Sequence, residues 1–188
     1  IRFRVSRGAS AEITGGATPG SALIVLRNTD NCWNPTDGDG PYAGELRDGM
    51  RIWIGLNADG RGIGDDARGV FGGRTTTWTP IPVPGHAYPP TVELAAEDAL
   101  SWLRRVPISL PPLMDASLRD CRVAVLDAAG VAPVNRALAH EIATVPLVAI
   151  DGMAGAVLDE INKAAGTRHY CRPGASPAAW YTYVTRNR

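Results

Sequence analysis

Few side chains in this sequence have the types and spacing that catalysis or metal binding requires. The three histidines, His86, His140 and His169, are scattered, and none stands four residues from another metal-ligating residue. The chain also lacks the Gly-x-Ser-x-Gly turn that presents a serine nucleophile, and its paired glycines lack the spacing of a phosphate loop. His86 falls in a proline-rich loop and His169 on a predicted strand, where solvent-facing or structural roles are expected. We therefore predict no catalytic, cofactor-binding or metal-binding residue, no cofactor and no enzymatic activity.

Two groups of acids come closest to a site. Asp37 and Asp39 alternate with glycines as in a calcium loop, but no glutamate stands at the position that closes an EF-hand. A turn is the expected structure there, and the sequence leaves open whether Asp37 and Asp39 bind an ion. Glu93, Glu97 and Asp98 place acids close together, a pattern compatible with acid/base catalysis. For Glu97 and Asp98 the first turn of a helix is the better explanation, because the positive end of the helix dipole favours carboxylates.

The composition of the chain limits its charge-dependent partners, its cysteine chemistry and its relation to membranes. The chain has 188 residues with 19 basic and 19 acidic side chains, and this absence of net charge counts against a protein that grips nucleic acid. Cys32, Cys121 and Cys171 are odd in number and far apart, which predicts free and mostly buried thiols. No apolar run has the length of a membrane span. The chain begins without methionine and stops just after a strand-like run, so we expect it to be a piece of a longer polypeptide.

The periodicity of the chain changes within the segment Thr91 to Arg105. Apolar residues alternate up to Ala96, as in a strand, and recur at helical spacing from Asp98 onward. No glycine or proline separates the two patterns, so the strand is predicted to run straight into the helix and to form a corner. The side chains expected to be buried at this corner are Val92, Leu94, Leu100 and Leu103.

Before this corner the sequence is typical of β structure. Four further strands are predicted, at Ile1 to Arg7, Ser21 to Arg27, Arg51 to Leu56 and Gly69 to Pro80. The run Ser21 to Arg27 is almost continuously apolar, which is typical of a strand covered on both faces. Two polar loops, Cys32 to Tyr42 and Asn57 to Arg68, are expected to contact partners, because long loops in compact domains are usually functional. These segments predict a small barrel or sandwich.

After the corner the pattern becomes mainly helical. One helix is predicted to begin at a cap on Asp115 or Ser117 and to end at Gly130. Its apolar stripe is Leu118, Cys121, Val125 and Ala129. A further helix is predicted between a cap on Asp151 and Gly166, with the stripe Ala154, Val157, Leu158 and Ile161. The link Val106 to Met114 is interrupted by prolines and cannot be helical throughout.

Short strands complete the second half of the chain. They are predicted at Val145 to Ile150, His169 to Cys171 and Trp180 to Thr185. The predicted fold class is therefore α+β: a small β-barrel or sandwich domain over residues 1–105, followed by the helix-containing start of a second α+β barrel-like domain over residues 106–188.

Several short motifs also follow one another in a recognisable order. They are Ile24-Val25-Leu26-Arg27-Asn28-Thr29-Asp30, Trp33-Asn34-Pro35, Gly44-Glu45-Leu46-Arg47-Asp48-Gly49-Met50-Arg51-Ile52, Phe71-Gly72-Gly73, Trp78-Thr79-Pro80, Val92 to Leu100, Val125 to Val131 and Gly152 to Gly166. In this order they resemble the N-terminal region of minor tail proteins of long-tailed bacteriophages, which are similar to the baseplate-hub proteins of contractile tails. The resemblance covers nearly the whole chain and departs from the family at Asn57 to Arg68 and Val134 to Thr144.

The resemblance implies a structural protein of the virion that is located at the phage tail tip. Residues 1–105 would form a barrel-like tail-hub domain closed by a helix, and residues 106–188 would begin the second hub domain. The implied partners are two further copies in a homotrimer and the other tail-tip proteins, namely the distal tail ring, the tape measure protein and the fibres. DNA would pass through the lumen at ejection without specific binding. A strongly basic lumen would bind phosphates tightly and slow that passage, so zero net charge is compatible with this role.

The residues alone leave two other classes open. Trp33, the tryptophan predicted in a loop, and Tyr42 are candidates for stacking on a sugar ring, as in a carbohydrate-binding adhesion module that contacts the host cell surface. A wall-degrading enzyme is the third hypothesis. The lack of a credible acid pair or metal set in the sequence counts against it.

Overall fold

The computed structural model describes residues 1–6, 18–56, 68–87, 89–141, 143–174 and 181–187. It is mostly β structure (48%), with a curled half-barrel sheet and a few helices, which confirms the predicted α+β class. The strands are β1 (Arg2–Ser6), β2 (Ser21–Arg27), β3 (Arg51–Leu56), β4 (Arg68–Ile81), β5 (Thr91–Asp98), β6 (Pro107–Ser117), β7 (Arg136–Ala137), β8 (Thr144–Met153), β9 (Thr167–Pro173) and β10 (Tyr181–Asn187). The helices are α1 (Ala99–Leu103), α2 (Leu118–Ala128) and α3 (Ala154–Ala164), with a 3-10 turn at Pro133–Asn135.

The first five strands form one antiparallel sheet in the order β1-β2-β5-β4-β3. Alternate residues of a strand point to opposite faces, and the register of β2 against β5 places their buried residues on one face. These residues are Ala22, Ile24 and Leu26 on β2 and Val92, Leu94 and Ala96 on β5. Irregular register between Thr75 and Thr77 in β4 marks a β-bulge, a feature that bends a strand and increases its twist. All five predicted strands of the first half are present.

The prediction that β2 is covered on both faces was wrong. Ala22, Ile24 and Leu26 are buried, but Leu23 on the opposite face is 42% exposed. A continuous apolar run indicates that both faces of a strand are apolar. It does not show that the same chain covers both of them, and the described residues cover only one.

The elements that follow share one large core, to which α1 also contributes. Fully buried side chains of α1, α2 and α3 meet there, among them Leu103, Val125 and Leu158. Strands β6 and β8 form a two-stranded antiparallel ribbon, and β7, β10 and β9 form a three-stranded sheet in that order. None of the helices in the described part of the chain has the length and apolar character needed to span a membrane.

The helix α2 agrees with its predicted signals. Ser117 is the N-cap, and its side chain accepts a hydrogen bond from the backbone N–H of Asp120 at 3.0 Å. The predicted stripe is buried: Leu118, Cys121, Val125 and Ala129. Gly130 has a φ of +72°, the left-handed conformation in which glycine commonly ends a helix.

Two details of the second half differ from the prediction. Asp151 does not cap α3: it lies within β8, and the helix begins after Met153 with no side-chain cap. The segment expected to be a proline-interrupted link is the extended strand β6. Prolines are tolerated there because each strand of a two-stranded ribbon is an edge strand. The backbone N–H that proline lacks is then not needed to pair with a second neighbouring strand.

The corner between β5 and α1 is confirmed. The exposed fractions of Val92, Leu94, Leu100 and Leu103 are 0%, 4%, 3% and 0%. Asp98 is the N-cap of α1 and accepts hydrogen bonds from the backbone N–H groups of Leu100 at 3.0 Å and Ser101 at 3.4 Å. The strand therefore turns into the helix at a residue that belongs to both.

We expect Leu100→Asp to lower the free energy of unfolding by about 3 kcal/mol or more, because it buries a carboxylate with no counter-charge. Leu100→Met is the matched control, since it nearly conserves volume and should cost less than about 1.5 kcal/mol. Urea unfolding followed by tryptophan fluorescence measures both. An aspartate variant as stable as the methionine variant would show that the corner is not packed as described.

Candidate functional site: assembly surfaces and a buried polar cluster

Buried polar side chains gather where α2, α3, β9 and β10 meet. His169 is the histidine of this cluster: its Nε2 lies 2.7 Å from Asp159 Oδ1, and its Nδ1 lies 2.8 Å from the Tyr183 hydroxyl. With Nε2 donating to the carboxylate, Nδ1 is the acceptor, and the hydroxyl of Tyr183 donates to it. Asn162 Nδ2 in turn donates to the Tyr183 hydroxyl at 3.0 Å. Every polar atom of the His169 ring is thus bound within the protein.

Arg122 occupies the centre of the same cluster and is fully buried. Its Nε donates to Asn162 Oδ1 at 2.8 Å, and one terminal nitrogen donates to Thr167 Oγ1 at 2.9 Å. The other terminal nitrogen forms an ion pair with Glu141 Oε2 at 2.7 Å. The second carboxylate oxygen of Glu141 is buried and has no hydrogen-bond partner among the described residues. The guanidinium therefore connects α2 to α3, to β9 and to the segment before β8.

This cluster contains the residue types of an active site, but its side chains are buried and hydrogen-bonded to one another, as in a protein core. Asp159, His169 and Tyr183 form an acid–imidazole–hydroxyl chain, yet the His169 side chain is only 5% exposed and Tyr183 is fully buried. Burial raises the pKa of the Tyr183 hydroxyl well above its usual value, which keeps it protonated. The hydroxyl donates a hydrogen bond to His169, and its burial closes it to any substrate. The arrangement joins secondary-structure elements, so His169 has a structural role.

Sequence reasoning missed Arg122, Asn162 and Thr167. One signal was present, because Arg122 follows Cys121 on the buried side of α2, a place where a charged residue needs a partner. Its partners lie 40 and 45 residues further along the chain at Asn162 and Thr167. Nothing in the local pattern indicates those pairings. The other two histidines, His86 and His140, are exposed.

The acids singled out in the sequence are used within the local structure. The carboxylate of Asp37 accepts hydrogen bonds from Asn31 Nδ2 at 2.6 Å and from the backbone N–H of Asp39 at 3.1 Å. Among the described residues no three acids, histidines or cysteines come together as a metal site would require. Asp37 therefore serves to hold the turn of the loop.

Glu97 and Asp98 differ from the prediction in their location. Neither lies within the first turn of α1: Asp98 caps the helix, and Glu97 lies on β5, where it bonds Ser101 Oγ and forms an ion pair with Arg105. Asp98 also accepts a hydrogen bond from the backbone N–H of Gly20 at 2.7 Å. Burial raises the pKa of the Asp98 carboxyl, and these backbone donors act in the opposite direction. Glu93 lies on the same outer face of β5 as Glu97, four residues earlier in the strand.

The two aromatic rings considered for sugar stacking already stack on each other. The rings of Trp33 and Tyr42 stack on each other with centroids 5.1 Å apart and an interplanar angle of 20°. Trp33 also packs against the inner-face cluster of Ile24, Leu26 and Leu94. A sugar would therefore have to displace Tyr42 to reach the tryptophan. The loop Cys32 to Tyr42 is held in place by Asn28, whose side-chain oxygen accepts from the Trp33 backbone N–H at 2.8 Å.

The other predicted contact loop, Asn57 to Arg68, lies outside the described residues except for Arg68, where β4 begins. The three cysteines are free, as predicted, but only Cys121 is fully buried, and Cys32 and Cys171 are partly exposed.

Exposed apolar side chains concentrate at two places on the described surface. On the ribbon, Met114 and Leu147 are cross-strand partners that are 74% and 63% exposed, and Met153 is 47% exposed. At the β1 edge of the first sheet, Phe3 and Leu23 are 41% and 42% exposed. Phe3 and Leu23 point to opposite faces of that sheet, whereas Met114 and Leu147 share one exposed face of the ribbon, and such grouped apolar residues mark a surface suited to association.

Comparison with known proteins shows the fold but gives no sequence relative. No family model and no curated protein matches the sequence. The E. coli c3393 protein, a type VI secretion component described as structurally similar to the T4 bacteriophage tail proteins gp27 and gp5, has a TM-score of 0.60 at 12% identity over 89% of this chain and 42% of its own. A 43 kDa tail protein of prophage MuSo2 from Shewanella oneidensis has a TM-score of 0.58 at 12% identity, covering 99% of this chain and 49% of its own.

A tail protein from Neisseria meningitidis MC58 also has a TM-score of 0.58 at 12% identity, covering 97% of this chain and 44% of its own. The chain thus spans less than half the length of each of these proteins. The predicted resemblance to tail and baseplate proteins is confirmed at the level of the fold.

The Arg122–Glu141 pair gives a test of the buried cluster. We expect Arg122→Met to lower the free energy of unfolding by about 3–5 kcal/mol, because it leaves the Glu141 carboxylate buried without its counter-charge. The double variant Arg122→Met/Glu141→Leu should recover a large part of that loss, since no unpaired charge remains. Chemical unfolding of both variants measures the difference. If the double variant is no more stable than Arg122→Met, the ion pair is not what makes the arginine necessary.

Proposed function

We propose that this chain is a structural component of a phage tail tip, a hub or minor tail protein that assembles as a trimer at the end of the tail tube. The likeness of fold to the MuSo2 tail protein over 99% of the chain carries the proposal. In this role the protein is located in the virion and contacts the other tail-tip proteins: the distal tail ring, the tape measure protein and the fibres. It acts by assembly, so the surfaces that it buries are its functional sites.

The use of its ionisable groups supports a role without catalysis. Acid, imidazole and hydroxyl groups come together at Asp159, His169 and Tyr183, and their hydrogen bonds end on one another inside the core. A general base must reach a proton on the substrate, and His169 has both ring nitrogens engaged within the protein. The chemistry-bearing side chains that the fold brings together thus stabilise the scaffold.

The arrangement of the cores supports a division into two hub domains at residues 1–105 and 106–188. The first sheet has its own inner-face clusters, which include Phe71, Ile24 and Leu94. The second half is built on the large core, and α1 reaches that core through Leu100 and Leu103. In the proposal α1 closes the first domain and braces it against the second.

We further propose that the trimer lines the path of DNA ejection. Equal numbers of acidic and basic residues suit a wall past which DNA must slide, because every additional phosphate contact strengthens salt-dependent binding and slows release. The stacked pair of Trp33 and Tyr42 favours this role over a carbohydrate-binding adhesion module, since the rings that would bind the sugar cover each other.

Cryo-electron microscopy of the intact tail that contains this protein tests the proposal. We expect the chain on the tail axis at the tip, in copies related by threefold symmetry. A particle labelled at the C-terminus of the protein serves as the control for its location in the reconstruction. Density away from the axis, or copies related by another symmetry, would contradict the tail-hub role. Glycan binding that disappears on Trp33→Ala would instead favour the adhesion module.

A further inference from the structure

A ring of three copies needs two different surfaces on each copy. A surface that pairs with itself makes a twofold contact, which is complete with two copies, whereas a threefold ring is built from contacts between one patch and a different patch. The inference that follows rests on the proposed trimer and asks which two patches of this chain meet.

The first patch, which we name the acidic ribbon, is the outer face of β6 and β8. Leu147, Ala149, Asp151 and Met153 point outward at every second position of β8, and Met114 lies opposite Leu147 on β6. The inner residues of the ribbon, such as Ile108 and Ile150, are buried against the large core, so this outer face is what the ribbon presents to solvent. The two strands contain two acids, Asp115 and Asp151, and no lysine or arginine.

The second patch, which we name the basic edge, is formed by β1 and the outer face of β2. Arg2 and Arg4 are exposed on β1, and Arg4 lies opposite the exposed Leu23 of β2. Phe3, between the two arginines in the sequence, points to the opposite face of β1, because it pairs with the inner-face residue Ile24; it is 41% exposed at this edge. Among the described residues, the acid opposite Val25 on this face is the half-buried Glu93, one strand further into the sheet. The patch as a whole is apolar and positively charged.

Both patches have an open hydrogen-bonding edge within the described residues. Strand β1 is the end strand of its sheet, and β8 has β6 as its one partner. β6 carries three prolines among its 11 residues, which weakens it as a template for strand addition, while the stretch of β8 from Leu147 to Met153 contains none. An exposed apolar strand with a free edge is a site for pairing with another chain.

We propose that the basic edge of one copy docks on the acidic ribbon of the next, and that this contact closes the ring. The two patches match in character: each combines exposed apolar side chains with an open strand edge, and their charges are opposite. Of the ten large apolar side chains that are exposed in the described residues, Met114, Leu147 and Met153 lie at the acidic ribbon and Ile1, Phe3 and Leu23 at the basic edge. Charge complementarity fixes which patch meets which, because juxtaposed like charges are unfavourable.

Four variants of the purified full chain test the contact, with oligomeric state measured by sedimentation velocity and native mass spectrometry. We expect Arg4→Glu and Asp151→Lys each to weaken the trimer at least about tenfold. The double variant Arg4→Glu/Asp151→Lys exchanges the charges of both patches and should restore the trimer to within about threefold of the unmodified chain. Leu147→Asp should also weaken assembly, because it replaces an apolar contact at the centre of the ribbon with a carboxylate that must be desolvated.

Val134→Asp is the matched control for Leu147→Asp, since Val134 is 72% exposed and lies outside both patches. It should leave the trimer unchanged. Thermal unfolding followed by circular dichroism confirms that each variant is folded, and both apolar positions are exposed enough to accept a charge.

The outcomes separate this inference from the proposed function. A threefold assembly that persists in Arg4→Glu and Leu147→Asp overturns the contact and leaves the tail-hub role standing. A double charge exchange that is weaker than either single exchange shows that the two patches do not meet. An unmodified chain that forms twofold dimers, or that remains monomeric at every concentration, overturns the trimer and this contact together.

Discussion

The carboxylate of Asp98 ties the start of β2 to the end of β5 and to the first turn of α1. One of its oxygens accepts from the Gly20 backbone N–H, and the other accepts from Leu100 and Ser101. The backbone N–H of Asp98 in turn donates to the Gly20 carbonyl at 3.0 Å. Because strand and helix share this residue, the direction of α1 is set by the sheet. The positions of Leu100 and Leu103 in the second core then follow from it.

The far end of α1 is constrained as tightly as its start. A Cβ atom on Gly155, in the first turn of α3, would lie 2.6 Å from the Cγ of Arg104 and 3.0 Å from its Cα and backbone nitrogen. The absence of a side chain at Gly155 is what lets α3 approach the end of α1. A cap at one end and a glycine contact at the other thus fix the two halves of the chain against the same short helix.

Local signals in the sequence predicted those elements whose ends carry their own chemistry. The change of period at Ala96 to Asp98 gave the corner, and Ser117 with Gly130 gave the bounds of α2, because caps and left-handed glycines act over one turn of backbone. Prediction from the sequence was wrong where the structure of a residue depends on contacts with residues far away in the chain. Asp151 is of a residue type that caps helices, but it pairs with Ser109 within the β6–β8 ribbon. Leu23 is apolar, but no described residue packs over its face of the sheet. The buried cluster was missed for a related reason, since Arg122 meets residues that only the packing of α2 on α3 brings near.

Zero net charge in this chain does not mean an even distribution of charge. The arginines of β1 and the acids of the ribbon lie in different parts of the fold, so opposite local fields coexist with overall neutrality. In the proposed assembly role these two properties would have different effects. Overall neutrality weakens attraction to any passing polyanion, because such attraction depends on the number of phosphates that the protein neutralises. Local separation of charge affects chiefly the orientation and the rate of association between copies. The proposed hub would use both, since it would hold identical neighbours in a fixed register without binding DNA; apolar burial would then supply the affinity and the charges the orientation.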